Sequence, residues 1–220
     1  MTTTGRIHGQ GKHPKGLYVL FFTEMWERFG FYTMLAIFTL YLDEYFHFAH
    51  PGTIYGAFLA IVYFTPIGGG LVADRILGFR KTIMLGAILM AAGYGLMSVH
   101  LPDPPQVEQQ VVAAEQQLAQ ARAQWDKRSA EAPAAGRSFE EAQPRYDGPG
   151  RMTGRPLFFL ALILLVLGNG LFKPNISVMV GNLYPEGSGL KDAAFNIFYM
   201  GINIGAFFAP LVAASLRNTL

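Results

Sequence analysis

The sequence contains, from Pro156 to Val180, the stretch PLFFLALILLVLGNGLFKPNISVMV. Lys173 is its only charged side chain, and an uninterrupted apolar run forms its first half. An α-helix needs roughly 20 predominantly apolar residues to cross about 30 Å of hydrocarbon. This stretch is both long enough and apolar enough, so it predicts a transmembrane helix.

Four other stretches have the same character, and they are Leu17–Leu42, Thr53–Ala73, Thr82–His100 and Ala193–Leu216. In the whole chain 51% of residues are hydrophobic, 15% are charged and the mean hydropathy is +0.27. Soluble domains carry more charge, about 25% of their residues. The alternative, a soluble all-α protein, would have to bury five such helices. We therefore predict an all-α membrane protein with five transmembrane helices, numbered first to fifth along the chain.

Composition also excludes several kinds of site. Cysteine is absent, so neither a disulfide framework nor a cysteine metal site is possible. The net charge of +2, without a basic run, gives no sign of nucleic-acid binding. The first apolar run is too long for a secretory signal peptide. We predict no metal site and no cofactor.

The distribution of lysine and arginine predicts the orientation. Arg6, Lys12 and Lys15 precede the first helix, Arg75, Arg80 and Lys81 lie between the second and third, and residues 43–52 contain none. The positive-inside rule then predicts a cytoplasmic amino terminus in a multi-pass protein of the cell membrane. The predicted parts are a cytoplasmic tail (1–16), three helices (17–100), a polar extramembrane insertion (101–155) and two further helices (156–220).

The insertion contains its own helical pattern. Apolar residues recur at alternating four- and three-residue steps, a heptad stripe formed by Val107, Val111, Ala114, Leu118, Ala121 and Trp125. This predicts an amphipathic helix at about residues 104–130, followed by a flexible linker from Ala132 to Gly150. The helix either docks on a partner or on the protein's own surface, or it is a tolerated insertion.

The first helix carries three charges, which are costly inside a bilayer. Glu24, Glu27 and Arg28 share one helix face, because they are three and four residues apart. Glu24 and Arg28 can pair, which leaves Glu27 as the extra charge. Burial and a neighbouring arginine act in opposite directions on a carboxylate's pKa, so Glu27 could load and release a proton. The alternative is a structural ion pair at the cytoplasmic end of the helix.

The fourth helix contains Lys173 in the segment Gly168–Asn175. Gly168 and Gly170 allow a neighbouring helix to approach closely. Pro174 frees a backbone carbonyl, and transporters place substrate sites at such broken helices. Lys173 is predicted to share one layer of a cavity with Glu24 and Glu27. The alternative is a lysine that extends to the membrane surface.

Polar residues elsewhere are less specific. Tyr199 and Asn203 share a face of the fifth helix, and either substrate contacts or interhelical hydrogen bonds would explain them, as for Tyr63 in the second. The glycine-rich segment 68–81 lacks the spacing of a phosphate-binding loop. It fits a tight turn between membrane helices, in which Asp74 pairs with basic residues or caps a helix.

Four motifs in order resemble the proton-coupled oligopeptide transporter family of the major facilitator superfamily. The first helix is similar to the family's ExxERFxYYG at Glu24–Thr33, and the turn Gly70–Lys81 looks like the superfamily's G-x-x-x-D-R-x-G-R-[KR] loop. Residues 168–175 match GxGxxKPN, and residues 198–206 read FYMGINIGA, with Pro210 following. The resemblance covers all five helices, about three quarters of the chain.

This resemblance implies proton-driven symport of di- and tripeptides by alternating access. It implies that Glu24 and Glu27 couple protons, and that Arg28 and Lys173 meet the carboxyl end of the peptide. The other residues that it implies are Tyr32, Tyr63 and Asn203, lining the substrate site, and Asp74, Arg75 and Arg80, in a cytoplasmic gating loop. Phe31 stands where the family has tyrosine and Thr33 where it has glycine, so substrate preference could differ.

The resemblance implies the amino-terminal half of a major facilitator-type bundle, so we expect the chain to be a fragment of a longer protein. The expected partners are the lipid bilayer, a small peptide and protons, with a further partner possible for the 104–130 helix. Two other functions stay open: a symporter for a different small substrate, or a non-transporting membrane interaction protein. An enzyme is the least expected, because no histidine or other ligand joins Glu24 and Glu27 on the first helix.

Overall fold

The structure, a computed structural model, describes residues 12–99, 101–131 and 144–219, and within these ranges it contains helices but no β-strand. The helices are α1 (Lys15–Leu40), α2 (Pro51–Val72), α3 (Phe79–Met97), α4 (Pro105–Glu131), α5 (Arg155–Gly181) and α6 (Lys191–Thr219). A π-helical turn extends α1 over Tyr41–Tyr45 and another extends α2 over Ala73–Leu77. The all-α prediction is confirmed, and every predicted span has a helix whose ends agree within three residues.

Three of these helices are long and apolar enough to cross a membrane, namely Pro51–Leu77, Arg155–Gly181 and Lys191–Arg217. The first helix differs because every stretch of α1 of sufficient length includes the charges at positions 24, 27 and 28. Helix α3 differs because Arg80 and Lys81 lie in its first turn. Length and composition thus identify three of the five predicted spans.

Glycines bring α5 into direct backbone contact with α2 and α3. The carbonyl oxygen of Gly170 lies against Gly69, where any added methyl group would overlap it. A methyl group on Gly86 would lie 2.7 Å from the carbonyl oxygen of Gly168. Such contacts are typical of membrane helices, whose association depends on close packing. We call α2, α3 and α5 the α5 group; the close approach predicted for Gly168 and Gly170 is confirmed.

Helices α1 and α6 form a second close pair. Gly201 faces Phe21, and a methyl group on Gly205 would lie 3.0 Å from the amide nitrogen of Phe29. We call these two helices the α1–α6 pair. The pair and the α5 group meet mainly through aromatic side chains: the ring of Phe38 lies 5.2 Å from that of Phe58 and 5.9 Å from that of Phe158.

Different hydrogen bonds join the helices at the two ends of the bundle. At the end where α1 begins, which we call the entry end, His13 Nδ1 and the Tyr184 hydroxyl are hydrogen-bonded at 2.7 Å. At the opposite end, Arg155 donates to the carbonyl oxygen of Phe46 at 2.7 Å. The α2–α3 turn at the entry end contains Gly78 with φ of +76°, a backbone conformation that favours glycine.

Helix α4 docks on the opposite end of the bundle. Val111 of the predicted stripe is fully buried, whereas the other stripe residues stay partly exposed. Arg151 pairs with Glu108 at 3.3 Å and with Glu115 at 3.5 Å, and Glu115 also contacts His47 at 3.1 Å. The first half of α4 therefore binds the protein's own surface. Most of the predicted linker, residues 132–143, lies outside the described residues.

Asp103 fixes the start of α4 to the segment before α5. Its Oδ1 accepts hydrogen bonds from the Met152 amide (3.2 Å), the Thr153 amide (2.9 Å) and the Thr153 hydroxyl (2.5 Å). Burial alone would raise the pKa of this carboxyl, but the Thr153 and Met152 hydrogen bonds outweigh it and lower the pKa. The link is therefore complete at neutral pH and is lost as pH falls through the lowered pKa.

We expect Asp103→Ala to loosen this link without unfolding the bundle. Hydrogen bonds to a charged group contribute about 1.5–3 kcal/mol, so the amides of Met152 and Thr153 should exchange with deuterium about tenfold faster or more. Asp147→Ala is the control, because Asp147 is exposed. Unchanged exchange at Met152 and Thr153 in Asp103→Ala would contradict the assignment.

Candidate functional site

A buried ion cluster lies in the middle of α1. Arg28 Nε lies 3.3 Å from Glu24 Oε1 and donates to Glu27 Oε2. Glu24 and Arg28 are each only 2% exposed, and the Glu27 side chain is nearly as buried. The single cation serves two carboxylates, so this helix contributes one negative charge in excess when both are ionised.

Aromatic rings enclose the arginine of this cluster. The Arg28 guanidinium carbon lies 5.1 Å from the centre of the Phe31 ring and 6.0 Å from that of Tyr32, within the range of cation–π attraction. Phe31 is buried, so its missing hydroxyl leaves an apolar surface beside Arg28. The Thr33 hydroxyl instead donates to the carbonyl oxygen of Phe29 at 2.7 Å, within its own helix.

Helix α5 brings two more groups to the cluster. Asn169 Nδ2 donates to Glu27 Oε1 at 3.3 Å. Lys173, one turn further along α5, is close enough to interact electrostatically with both Glu24 and Glu27. Its Nζ also lies 5.2 Å from the ring centre of Tyr63, an exposed residue of α2. Lys173 therefore lies on the side of α5 that faces the two glutamates, with Tyr63 at the exposed edge; that these charges share one layer of a cavity stays a prediction.

The prediction that Pro174 breaks the fourth helix is wrong. Helix α5 runs without interruption from Arg155 to Gly181. Pro174 cannot bond the carbonyl of Gly170, which instead faces Gly69 across the helix contact. Asn175 Nδ2 reinforces this crossing by donating to the Gly69 carbonyl oxygen at 3.2 Å and to that of Leu171 at 2.7 Å. Close packing against α2 thus holds α5 at this crossing, where the helix stays continuous.

Asn203 lies apart from these charges, on an open groove along α6. The groove has a volume of about 600 Å³, and its lining comprises Asn196, Tyr199, Met200, Asn203, Ile204, Phe207 and Phe208. Asn203 is exposed and, in the part of the chain that the structure describes, makes no hydrogen bond to another helix. A mixed polar and aromatic lining suits a ligand with both kinds of surface.

The residues of the α2–α3 turn form no part of the ion cluster. Asp74, Arg75 and Arg80 are all exposed at the entry end. Asp74 makes no ion pair with any of the described residues, so the predicted pairing with basic neighbours is wrong. Its position at the start of the π-helical turn leaves the carboxylate in solvent.

Two residues near Glu27 were not predicted. Asn169 could have been found from its spacing, because it lies four residues before Lys173 on the same face of an apolar helix. Tyr94 on α3 interacts electrostatically with Glu27 and Arg28. It gives no comparable signal, since only the packing of α3 brings it near α1. Within the described ranges, no three carboxylate or imidazole groups lie close enough together to hold a metal ion.

Known proteins with similar sequences show the family to which this chain belongs. The chain is 34% identical over 215 residues to a di-/tripeptide transporter of Lactococcus lactis subsp. cremoris, covering 92% of this chain and 32% of that protein. It is 32% identical to the peptide transporter YePEPT of Yersinia enterocolitica, over 94% of this chain and 32% of the relative. This chain therefore spans about a third of the length of these relatives.

Solved structures of peptide transporters also resemble this chain. The crystal structure of a peptide transporter POT in complex with sulfate is 33% identical, has a TM-score of 0.65, and aligns with 93% of this chain and 32% of its own. Its helical arrangement is of the major facilitator type, which confirms the predicted fold class. The sequence model that describes the POT family matches residues 80–220 of this chain. The chain is thus a membrane protein that belongs to the POT family.

Proposed function

We propose that this chain belongs to a proton-coupled symporter that moves di- and tripeptides across the cell membrane by alternating access. The observation that carries the proposal is the buried cluster of Glu24, Glu27 and Arg28 facing Lys173. Ionisable groups in a membrane helix are costly and usually mark a substrate or proton pathway. The names of the relatives, which are di- and tripeptide transporters, support the cargo.

The proton role falls to the two glutamates. Both lose the solvation of water, and Arg28 can neutralise only one of them at a time. Glu24 Oε2 is buried and has no hydrogen-bond partner among the described residues, so a proton can be added there without displacing another contact. Among the described residues, the hydrogen-bond partner of Glu27 Oε1 is the uncharged amide of Asn169. Protonation of either carboxylate would therefore release Arg28 or Lys173 from its electrostatic partner.

The substrate role falls to the cations and to the polar residues at the exposed edge of the cluster. Arg28 and Lys173 offer positive charge to the carboxylate of a peptide, because charge-assisted hydrogen bonds are the strongest available to that group. Tyr32 and Tyr63 flank these cations. Asn203 offers an amide from the α6 groove, apart from these cations. Substrate binding and proton binding would thus share Arg28 and Lys173.

The distribution of lysine and arginine supports an orientation in which the entry end is cytoplasmic. Exposed lysine and arginine side chains gather there at the start of α1 and in the α2–α3 turn, as positions 12, 15, 75, 80 and 81. Positive charge in short loops is retained on the cytoplasmic side. We assign Asp74, Arg75 and Arg80 to the cytoplasmic gating loop on this basis, and no enzymatic activity to the chain.

Uptake by the complete protein in proteoliposomes tests this proposal. We expect an inward proton gradient to drive accumulation of a labelled dipeptide, and a protonophore to abolish it. Unlabelled di- and tripeptides should compete, whereas free amino acids and nitrate should not. Competition by nitrate but not by peptides would support a symporter for a different substrate, and uptake without any response to the gradient would reject proton coupling.

A further inference from the structure

We propose that Asn169 is a positioning residue for Glu27, and that its amide serves both the ionised and the protonated carboxyl group. This inference rests on the proposed proton role of Glu27. Asn169 is 1% exposed, lies on α5 and reaches across to α1. In the part of the chain that the structure describes, this bond joins the α5 group directly to the carboxylate that Arg28 also holds.

The two oxygens of Glu27 have different partners. Oε2 accepts from the Arg28 guanidinium, and Oε1 accepts from Asn169 Nδ2 at 3.3 Å. A proton on Oε2 would have to displace a cation, whereas the hydrogen-bond partner of Oε1 in the described part of the chain is a neutral amide. Oε1 is therefore the oxygen that takes up the proton with the smaller change in its surroundings.

Asn169 can accommodate that proton because its side chain has a donor end and an acceptor end. The donor end, Nδ2, faces the ionised carboxylate. The acceptor end, Oδ1, is buried and has no hydrogen-bond partner among the described residues. When Oε1 becomes an O–H donor, rotation of the amide brings Oδ1 to accept from it. A buried acceptor without a partner is unfavourable, so its presence favours a second arrangement in which it is used.

The helix packing around Asn169 fixes its direction. Gly168 lies against α3, where a methyl group would be 2.7 Å from the Gly86 carbonyl oxygen. Gly170 lies against Thr65 of α2, where a methyl group would be 2.7 Å from the Thr65 Cβ. These two contacts prevent α5 from rotating, and they leave the intervening Asn169 directed to α1. The same packing means that a substitution at position 169 must be chosen to preserve volume.

Asn169→Thr and Asn169→Val form a matched pair for the test. Threonine and valine have the same shape, but only the threonine hydroxyl can both donate and accept. Any change in packing is shared by the two variants, and so are the other charged and titratable neighbours of Glu27, which are Glu24, Arg28, Lys173 and Tyr94. The difference between the variants therefore isolates the hydrogen bond.

In the complete protein, we expect Asn169→Val to lower proton-driven dipeptide uptake by about tenfold, the size of effect of a hydrogen bond to a charged group. Counterflow of labelled against unlabelled dipeptide, which needs no net proton movement, should stay within about twofold. Asn169→Thr should retain most of the driven uptake. Equal loss in both variants, or loss of counterflow together with uptake, would overturn the positioning role.

A second measurement separates this inference from the proposed function. Infrared difference spectra between acidic and alkaline pH record the carboxyl C=O stretch of protonated Glu27, identified by its absence in Glu27→Gln. In Asn169→Val the band should move to higher frequency, because the acid loses its acceptor, whereas Asn169→Thr should stay close to the wild type. This shift in a protein that moves no peptide would sustain the positioning role while rejecting peptide transport. An identical band in the wild type, Asn169→Val and Asn169→Thr would overturn the positioning role of Asn169.

Discussion

Replacing Glu27 with glutamine is expected to lower proton-driven dipeptide uptake by about 100-fold or more, the contribution of a positioned acid–base group. Glutamine keeps the shape of glutamate but cannot take up or release a proton. Counterflow should persist, since substrate binding and alternation of the site do not require net proton movement. The measurement is uptake by the complete protein in proteoliposomes over a range of pH, with and without a gradient.

The variant should still fold. Arg28 retains Glu24 as an ionic partner at 3.3 Å, so no cation is left buried alone. Glu44→Gln is a suitable control, because Glu44 is exposed and its ion pair among the described residues is with Arg217, at 3.9 Å. Exposed pairs of this kind contribute little. If Glu27→Gln retained wild-type uptake at every pH, the assignment of the proton to Glu27 would be wrong.

Gly69→Ala is expected to cause a large loss of stability, because Gly69 makes the closest backbone contact among the described glycines. The added carbon would overlap the carbonyl oxygen of Gly170, so α2 and α5 would have to separate. Overpacking of this kind costs about 1–3 kcal/mol, and here backbone rather than a flexible side chain must move. Thermal unfolding in detergent should show a lowered midpoint, and uptake should fall with it.

Gly68→Ala provides the matched control one position away. A methyl group there meets no described atom of another helix within 4 Å, so no helix has to move. Alanine is also favoured over glycine in a helix by about 1 kcal/mol, and this variant should be as stable as the wild type or more so. Equal stability of the two variants would show that α2 and α5 do not cross as closely as described.

The positions of the helices could be predicted from the sequence because long apolar runs have few alternatives in a membrane. The common face of Glu24, Glu27 and Arg28 was also predictable, since it depends only on spacing within one helix. The π-helical turns at Tyr41–Tyr45 and Ala73–Leu77 were not predictable, because a π-helical turn differs from an α-helix in its backbone hydrogen bonding and has no comparable signature of residue spacing.

Contacts between helices limited the prediction of the site. Tyr94 lies within electrostatic range of Glu27 because Gly86 and Gly93 bring α3 onto α5, and a single sequence does not reveal which helices are neighbours. The position of Asn203 on an open groove depends in the same way on the rotation of α6 about its axis. For α4, the stripe predicted an amphipathic helix, but the docking of Val111 required the surface that receives it.

The division of the bundle into the α5 group and the α1–α6 pair has a mechanical consequence. Within each unit, glycines place backbone against backbone, and such contacts resist deformation. Between the units, the contact consists of aromatic rings, the hydrogen bond of Glu27 with Asn169 and the hydrogen bonds at the two ends of the bundle. Glu27 lies at this boundary, because its carboxylate is bonded to Arg28 of its own helix and to Asn169 of the α5 group. A change in the protonation of Glu27 would therefore act where the two units meet and would leave the backbone contacts within each unit unchanged.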